Sequence, residues 1–259
     1  MIRTRLSAAA FPVLTMLAVT AYAGTVPFDF GQTELGQIKT ACGFVCFGNN
    51  CTAGGTVTSL NISPPFFVRG IRVGDIADEA DFCNNTPGVT TSRTLPRTLN
   101  PGQALVFDVD LVATQLGDFD DDLRVNGQPL FDFMADVNPL SGCAPSPSAT
   151  CLTDDRFKVR VHWRTRFGTR DPGNVVPFGS DDSGLFYFFN ANNWEMLLKV
   201  LNACPLNPPR FWVFAAATTN VEYTITVTDT ESQQVKTYFN PLGNPAQPIQ
   251  DTSAFATCP

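Results

Sequence analysis

The chain has 259 residues, of which 44% are hydrophobic and 16% are charged, and its formal net charge is −7 at pH 7. Such an acidic chain is unsuited to wholesale binding of nucleic acid or anionic membranes, because both ligands require an excess of Lys and Arg. We therefore predict no nucleic-acid partner. No segment after the N-terminal region is apolar for long enough to cross a bilayer, so we also predict no transmembrane anchor.

The N-terminus has the pattern of an export signal. Arg3 and Arg5 give a positive start, residues 8–19 are almost entirely apolar, and a small-x-small site ends at Ala23. The apolar run is too short to span a bilayer as a helix, which favours a cleaved signal peptide over an anchor. We predict a signal peptide over residues 1–23, cleavage near Ala23, and a secreted or periplasmic mature chain.

Cysteine usage agrees with export. An even number of cysteines in an exported chain indicates disulfides. A metal site is the alternative, but it requires close Cys pairs or Cys with His, and the chain has one loose pair, Cys42 and Cys46, and one histidine, His162. We predict four disulfides with open connectivity, formed within two sets: Cys42, Cys46, Cys51 and Cys83, and Cys143, Cys151, Cys204 and Cys258.

Apolar and polar residues alternate with period two along most of the chain, which indicates strands. In 105–111 the alternation puts Leu105 and Phe107 on one face and Asp108 and Asp110 on the other, as in a half-buried strand. Segment 194–201 could form two helical turns, but we favour a strand. The predicted strands, in chain order, are 26–30, 55–62, 67–73, 105–111, 123–125, 130–134, 157–164, 184–189, 194–201, 210–215, 221–228 and 236–239.

Short strands separated by Pro, Gly, Asn and Asp turns favour an all-β fold of two β-sandwich domains in tandem. Residues 138–150 contain three Pro and three Ser, a composition typical of an extended linker. We place the first domain at 24–137, the linker at 138–150 and the second domain at 151–259.

Two segments resemble known domains. Residues 26–137 resemble a Hydin-type immunoglobulin-like domain, through the opening Phe28-Asp-Phe-Gly31 and through Leu99-Asn-Pro-Gly102 with the following strand. Residues 143–258 resemble a C-terminal β domain of exported bacterial proteins of unknown function. That pattern includes Cys143-x7-Cys151, Phe211-Trp-Val-Phe214 and Tyr238-x-Asn240-Pro241-x-Gly243. The resemblances imply fold and export, and they imply no activity.

A calcium site is one candidate for function. Asp118, Asp120 and Asp122 fall at positions 1, 3 and 5 of a calcium-loop spacing, and Ca²⁺ prefers such oxygen ligands. However, Leu123 occupies the sixth position, where a helix-loop-helix site has Gly, and Pro129 occupies the twelfth, where it has Glu. A solvated hairpin turn is the alternative. No other cofactor is predicted.

A basic ladder is the most distinctive feature. Every second residue from 156 to 166 is basic: Arg156, Lys158, Arg160, His162, Arg164 and Arg166. On a strand these side chains would point the same way. The five Arg and Lys residues could bind a polyanion such as an acidic polysaccharide. Alternatively, carboxylates on neighbouring strands pair with them.

These patterns favour a non-catalytic structural or binding module over an enzyme. The single histidine, His162, has an arginine two residues away on each side. The positive charge of these arginines disfavours the protonated form of the imidazole, which makes it a poor general base. The aromatic runs 186–189 and 211–214 could stack on sugars or form core. The sequence does not identify the partner, and an extracellular glycan or protein is the candidate. The alternatives are a secreted hydrolase that cleaves polysaccharide with catalytic carboxylates, and a calcium-dependent adhesin.

Overall fold

The computed structural model describes residues 26–48, 51–76, 90–91 and 94–259. The predicted signal peptide and Cys83 lie outside these residues. Nearly all regular structure is β, which confirms the prediction of an all-β fold. The described residues contain no helix that is long and apolar enough to cross a membrane.

In the residues that the structure describes, twenty strands divide between two compact units. The first unit contains Ile38–Asn138, Phe167–Thr169 and the described residues before Glu34, and the second contains Glu34–Gln37, Pro139–Arg166 and Arg170–Pro259. The strands of the first unit are β1 (Val26–Glu34, whose last residue joins the second unit), β2 (Ile38–Val45), β3 (Gly55–Val57), β4 (Leu60–Asn61), β5 (Phe66–Asp75), β6 (Thr90–Thr91), β7 (Arg97–Leu99), β8 (Gln103–Val112), β9 (Gly117–Val125) and β10 (Gln128–Asn138). Those of the second are β11 (Ala149–Leu152), β12 (Phe157–Arg164), β13 (Arg170–Pro172), β14 (Asn174–Val175), β15 (Ser183–Tyr187), β16 (Met196–Asn202), β17 (Phe211–Ala217), β18 (Glu222–Asp229), β19 (Val235–Asn240) and β20 (Ile249–Phe255).

Two four-stranded sheets form most of the first unit. Their strand orders are β1-β10-β9-β4 and β2-β8-β5-β6, and β3 and β7 form a separate pair. Asn126 and Gly127 connect β9 to β10 with positive φ values of 51° and 83°, as expected for an Asn-Gly hairpin. One apolar core holds residues from both sheets, including Phe107 on β8 and Phe131 and Phe133 on β10.

Strand β8 is buried on both faces, so the predicted half-buried strand is wrong. A second apolar cluster, formed by Phe44, Cys46, Cys51, Ala104 and Val106, covers the face expected to meet solvent. On the same face, Asp108 is fully buried and its Oδ2 lies 3.2 Å from Nη1 of Arg72. Asp110 is also buried and accepts a hydrogen bond from Thr40. The charge of Asp108 is therefore paired with Arg72, and Asp110 is hydrogen-bonded inside the unit.

Two five-stranded sheets form the second unit. One has the order β11-β12-β18-β19, with β13 beside β12, and the other has the order β14-β15-β16-β17-β20. A single core holds residues of both, including Val159, Phe186, Leu198 and Val213. Phe186, Phe188 and Phe211 belong to this core, whereas Phe189 is exposed. The core interpretation of the aromatic runs is therefore confirmed for the first three.

Two uncertain segments of the second unit have defined structures. Residues Met196–Asn202 form β16, so the strand favoured for 194–201 is confirmed. Residues 139–148 of the predicted linker pack within the second unit: Leu140 is buried, and its N–H and carbonyl both bond the side chain of Gln233.

The structure contains disulfides Cys46–Cys51, Cys143–Cys151 and Cys204–Cys258. Cys42 is also disulfide-bonded. The described bridges stay within the two predicted sets, which confirms disulfides over a metal site for these cysteines. Such bonds are typical of proteins that fold outside the reducing cytosol.

Candidate functional site

The basic ladder is centred on β12. The strict alternation predicted strand 157–164, and β12 has these bounds. Lys158, Arg160 and Arg164 lie on β12 itself, whereas Arg156 precedes the strand and Arg166 follows it. His162 is half-buried on the same face of β12, opposite Thr224 of β18. The pattern therefore predicted the strand correctly. The side chains that contact this face of β12 determine which ligands it can bind.

Arg156 is part of a buried hydrogen-bond network centred on Asp229. Its Nε and Nη2 donate to Oδ1 and Oδ2 of Asp229 at 3.0 and 2.8 Å, a two-point pairing of guanidinium and carboxylate. Thr257 donates to the same carboxylate at 2.6 Å. Burial alone would raise the pKa of Asp229, but the hydrogen bonds from Arg156, Thr257 and Ser232 and the charge of Arg156 lower it.

Two other carboxylates pair with the cations of β12. Glu34, which belongs to the second unit, contacts both Lys158, at 3.3 Å, and Arg160. Partial burial would raise the pKa of Glu34, but the two cations lower it. Arg164 is 2% exposed, and its Nη1 lies 3.0 Å from Oε1 of the buried Glu222.

Four of the five predicted polyanion-binding cations are thus paired with carboxylates, and their side chains are 2% to 17% exposed. The fifth, Arg166, is exposed. This geometry matches the alternative in which neighbouring carboxylates neutralise the ladder. Polyanion binding stays a prediction, and any such ligand would have to compete with internal ion pairs.

The three aspartates of the calcium-loop spacing lie in a strand. Asp118, Asp120 and Asp122 are on β9, which is hydrogen-bonded to β10 over Gly117–Val125, so neither the loop nor the turn expected from the sequence forms. Alternate side chains of a strand project from one face about 7 Å apart, which differs from the loop arrangement of the predicted site, and calcium binding stays a prediction. In the part of the chain that the structure describes, no group of three or more His, Cys, Asp or Glu is placed to hold a metal.

An open groove lies in the second unit beside two edge strands. In the described residues, β19 pairs only with β18, and β20 pairs only with β17. The Tyr238 hydroxyl on β19 donates to Oδ2 of Asp251 on β20 at 2.9 Å, so one hydrogen bond connects the two sheets here. The groove has a volume of about 580 Å³ and is bounded by β19, by the connection 241–248 and by the start of β20.

The lining is aromatic, aliphatic and polar without charge. It consists of the aromatic residues Tyr223, Tyr238 and Phe239, the prolines Pro241, Pro245 and Pro248, the polar residues Thr237, Asn240, Asn244 and Gln247, and Ile249. Phe239 is 46% exposed. Burial, followed by the hydrogen bond to Asp251 and the charge of Asp251, raises the pKa of Tyr238, so its hydroxyl stays neutral.

The connection 241–248 is held in place by its own hydrogen bonds. The buried side chain of Asn240 donates to the carbonyls of Val221 and Asn244 at 3.1 and 3.0 Å. The N–H of Gly243 donates to the carbonyl of Asn220 at 2.7 Å. Three prolines restrict the backbone further. The wall of the groove is therefore preorganised.

The sequence did not predict this groove. Tyr238, Asn240, Pro241 and Gly243 entered only as part of a resemblance, and Tyr223 comes from a different strand. A local signal exists, because a Pro-rich segment with Asn and Gln directly follows an aromatic pair. No protein-family model matches the chain, and no curated protein sequence matches it. The two domain resemblances therefore stay predictions.

Proposed function

We propose that the mature chain is an exported, non-catalytic binding module, and that the groove of the second unit is its ligand-binding surface. The observation that carries this proposal is the lining of that groove. Aromatic rings and side-chain amides provide stacking and hydrogen bonding. None of the eleven lining residues is an acid, whereas a glycosidase requires two carboxylates that flank the scissile bond.

The buried carboxylates support a non-catalytic role. In the part of the chain that the structure describes, they are Asp108, Asp110, Glu195, Glu222 and Asp229. Each accepts a hydrogen bond from an arginine, a hydroxyl or a backbone N–H within its own unit. These contacts hold the carboxylates within their own units, and none of the five lines the groove. These groups stabilise the fold.

Export is part of the proposal because of the disulfides and the predicted signal peptide. Three disulfides require an oxidising environment to persist, and a binding module outside the cytoplasm would meet glycans and proteins of cell surfaces.

The test combines binding and hydrolysis on the same material. Purified mature protein is mixed with insoluble cell-wall fractions and a panel of polysaccharides, and we measure co-sedimentation and released reducing ends. We expect co-sedimentation with at least one material and no reducing ends above the buffer control. Release of reducing ends in proportion to enzyme concentration would support the alternative, a secreted hydrolase. Failure to bind any material would argue against a binding module.

A further inference from the structure

The outer face of the sheet β14-β15-β16-β17-β20 is apolar where it meets solvent. On β16, the side chains of Met196, Leu198 and Val200 belong to the core, so the residues between them point away from it. The strand register carries this division onto β15 and β17. We call the outward residues of these three strands the outer patch: Ser183, Leu185, Tyr187, Leu197, Lys199, Leu201, Trp212, Phe214 and Ala216.

The outer patch has the composition of a covered surface. A sheet with one face in water normally alternates apolar and polar residues. Strand β17 instead consists of apolar residues alone, and seven of the nine patch residues are aliphatic or aromatic. None of the nine belongs to the core of the second unit. Leu197 is 41% exposed, Ala216 is exposed and the others are half-buried. A contiguous apolar surface that is open to water marks an interaction site.

We propose that the outer patch is the interface of a homodimer, in which this face of one copy packs against the same face of a second copy. Sheets that pack face to face lie about 10 Å apart and interdigitate their side chains. A two-fold interface must be complementary to itself, and a neutral apolar surface meets that condition. The inference does not depend on the groove or on the proposed function.

The distribution of charge favours contact between copies through this face. The chain is acidic, with a formal net charge of −7, so two copies repel each other at long range. The outer patch contains no Asp or Glu and a single cation, Lys199. Packing patch against patch therefore brings no carboxylates of the patch together. One cation is also too little charge to select an anionic polymer or an anionic membrane.

The area of the sheet suits a reversible dimer. With strands about 4.8 Å apart and residues about 3.3 Å apart, the five strands cover about 450 Å² in projection. The accessible area is larger, because the side chains protrude. Two copies would therefore bury about 1,000 Å² in total, which is the lower limit of specific protein interfaces. Interfaces of this size are usually transient, so we expect a dissociation constant in the micromolar range.

The register gives Lys199 a favourable position in such a dimer. Equivalent residues of a two-fold dimer meet only on the axis. An axis parallel to the strands, between β16 and β17, places each of these strands over the other strand of the second copy. Lys199 is the register neighbour of Phe214, so each Lys199 lies over Phe214 of the second copy, where an ammonium group is attracted to the face of the ring. In the same way, Leu201 lies over Trp212 of the second copy.

The test is sedimentation velocity on the mature chain with its disulfides intact, at concentrations up to about 200 µM, which cover a micromolar dissociation constant. The variants are Leu197→Glu and Ala216→Arg, which place a charge at the two exposed positions of the patch. The matched control is Phe178→Glu, because Phe178 is 71% exposed and lies outside the patch. Melting temperatures establish that each variant folds. A parallel experiment adds vesicles of neutral phosphatidylcholine.

We expect wild-type protein to form a reversible dimer that persists in about 0.5 M salt, because salt screens the repulsion between acidic copies and leaves apolar contacts intact. Leu197→Glu and Ala216→Arg should each raise the dissociation constant about tenfold or more, since each buries an unpaired charge, and Phe178→Glu should leave it unchanged. A chain that stays monomeric at about 200 µM overturns the inference, as does a dimer that both patch variants leave intact. A monomer that sediments with the vesicles, and loses this binding in both patch variants, would instead assign the patch to a lipid surface.

Discussion

The ion pair between Arg156 and Asp229 gives the sharpest test of the role of the basic ladder. Asp229 is fully buried and accepts hydrogen bonds from Arg156, from the Thr257 hydroxyl and from the Glu231 N–H. In Asp229→Asn, the new NH2 group would face donors that now bond a carboxylate oxygen. The guanidinium of Arg156 would lose its two-point partner and keep only the exposed Glu231 and the Thr257 carbonyl. Breaking a buried pair in this way costs about 3–5 kcal/mol.

The exposed partner of the same arginine provides the matched control. Oε2 of Glu231 lies 2.9 Å from Nη1 of Arg156, but the Glu231 side chain is 67% exposed. Glu231→Gln should therefore change the free energy of unfolding by no more than about 0.5 kcal/mol, because water screens the pair. For a unit of this size, the Asp229→Asn loss corresponds to a fall in Tm of roughly 10 to 20 °C.

The pH dependence has a defined sign. Because the folded-state pKa of Asp229 is lowered, its contribution to stability is present above the unfolded value of about 4 and is lost as the pH falls through the folded value. Urea unfolding at pH 7 should separate wild type from Asp229→Asn, and the separation should shrink below about pH 4. Equal unfolding midpoints for the Asp229 and Glu231 variants at pH 7 would refute the reasoning.

Three further results are expected. Arg164→Met should lower the free energy of unfolding by about 3 kcal/mol, since it removes the cation that pairs with the buried carboxylate of Glu222. A circular dichroism melt unchanged by this substitution would show that the pair is dispensable. Replacing both Cys204 and Cys258 by Ser should cost about 2–4 kcal/mol, because the bridge closes a loop with a sequence separation of 54; equal stability under reducing and oxidising conditions would contradict this. Sulfated or uronic polysaccharides should bind weakly at low salt, and tight binding that falls steeply with salt would instead support a polyanion function for the basic ladder.

Local alternation predicted many of the strands, because every second residue of a strand with one face on a core is apolar. It missed others, among them β2, β11 and β20. The bounds of β12 and the strand nature of β16 followed from this pattern. The Asn-Gly hairpin between β9 and β10 also has a purely local cause. These features require no knowledge of distant residues.

Strand β8 was predicted wrongly because its second cover comes from elsewhere in the chain. Asp108 and Asp110 indicated a face exposed to water, as carboxylates in strands usually do. The pairing of Asp108 with Arg72 and the apolar cluster around Cys46 and Cys51 remove that face from water. An aspartate in a strand therefore marks either solvent or a buried partner, and alternation alone does not distinguish them.

The same ambiguity explains why a row of cations on one strand does not assign a ligand. The spacing from Arg156 to Arg166 is identical whether the face meets a polysaccharide or the carboxylates of its own unit. The deciding partners are distant in sequence: Glu34 lies 126 residues from Arg160, and Glu222 lies 58 residues from Arg164. Because an unpaired buried charge is costly, such cations stabilise the fold only when these partners are present. We therefore propose recognition at a surface whose lining residues are uncharged, the groove beside β19.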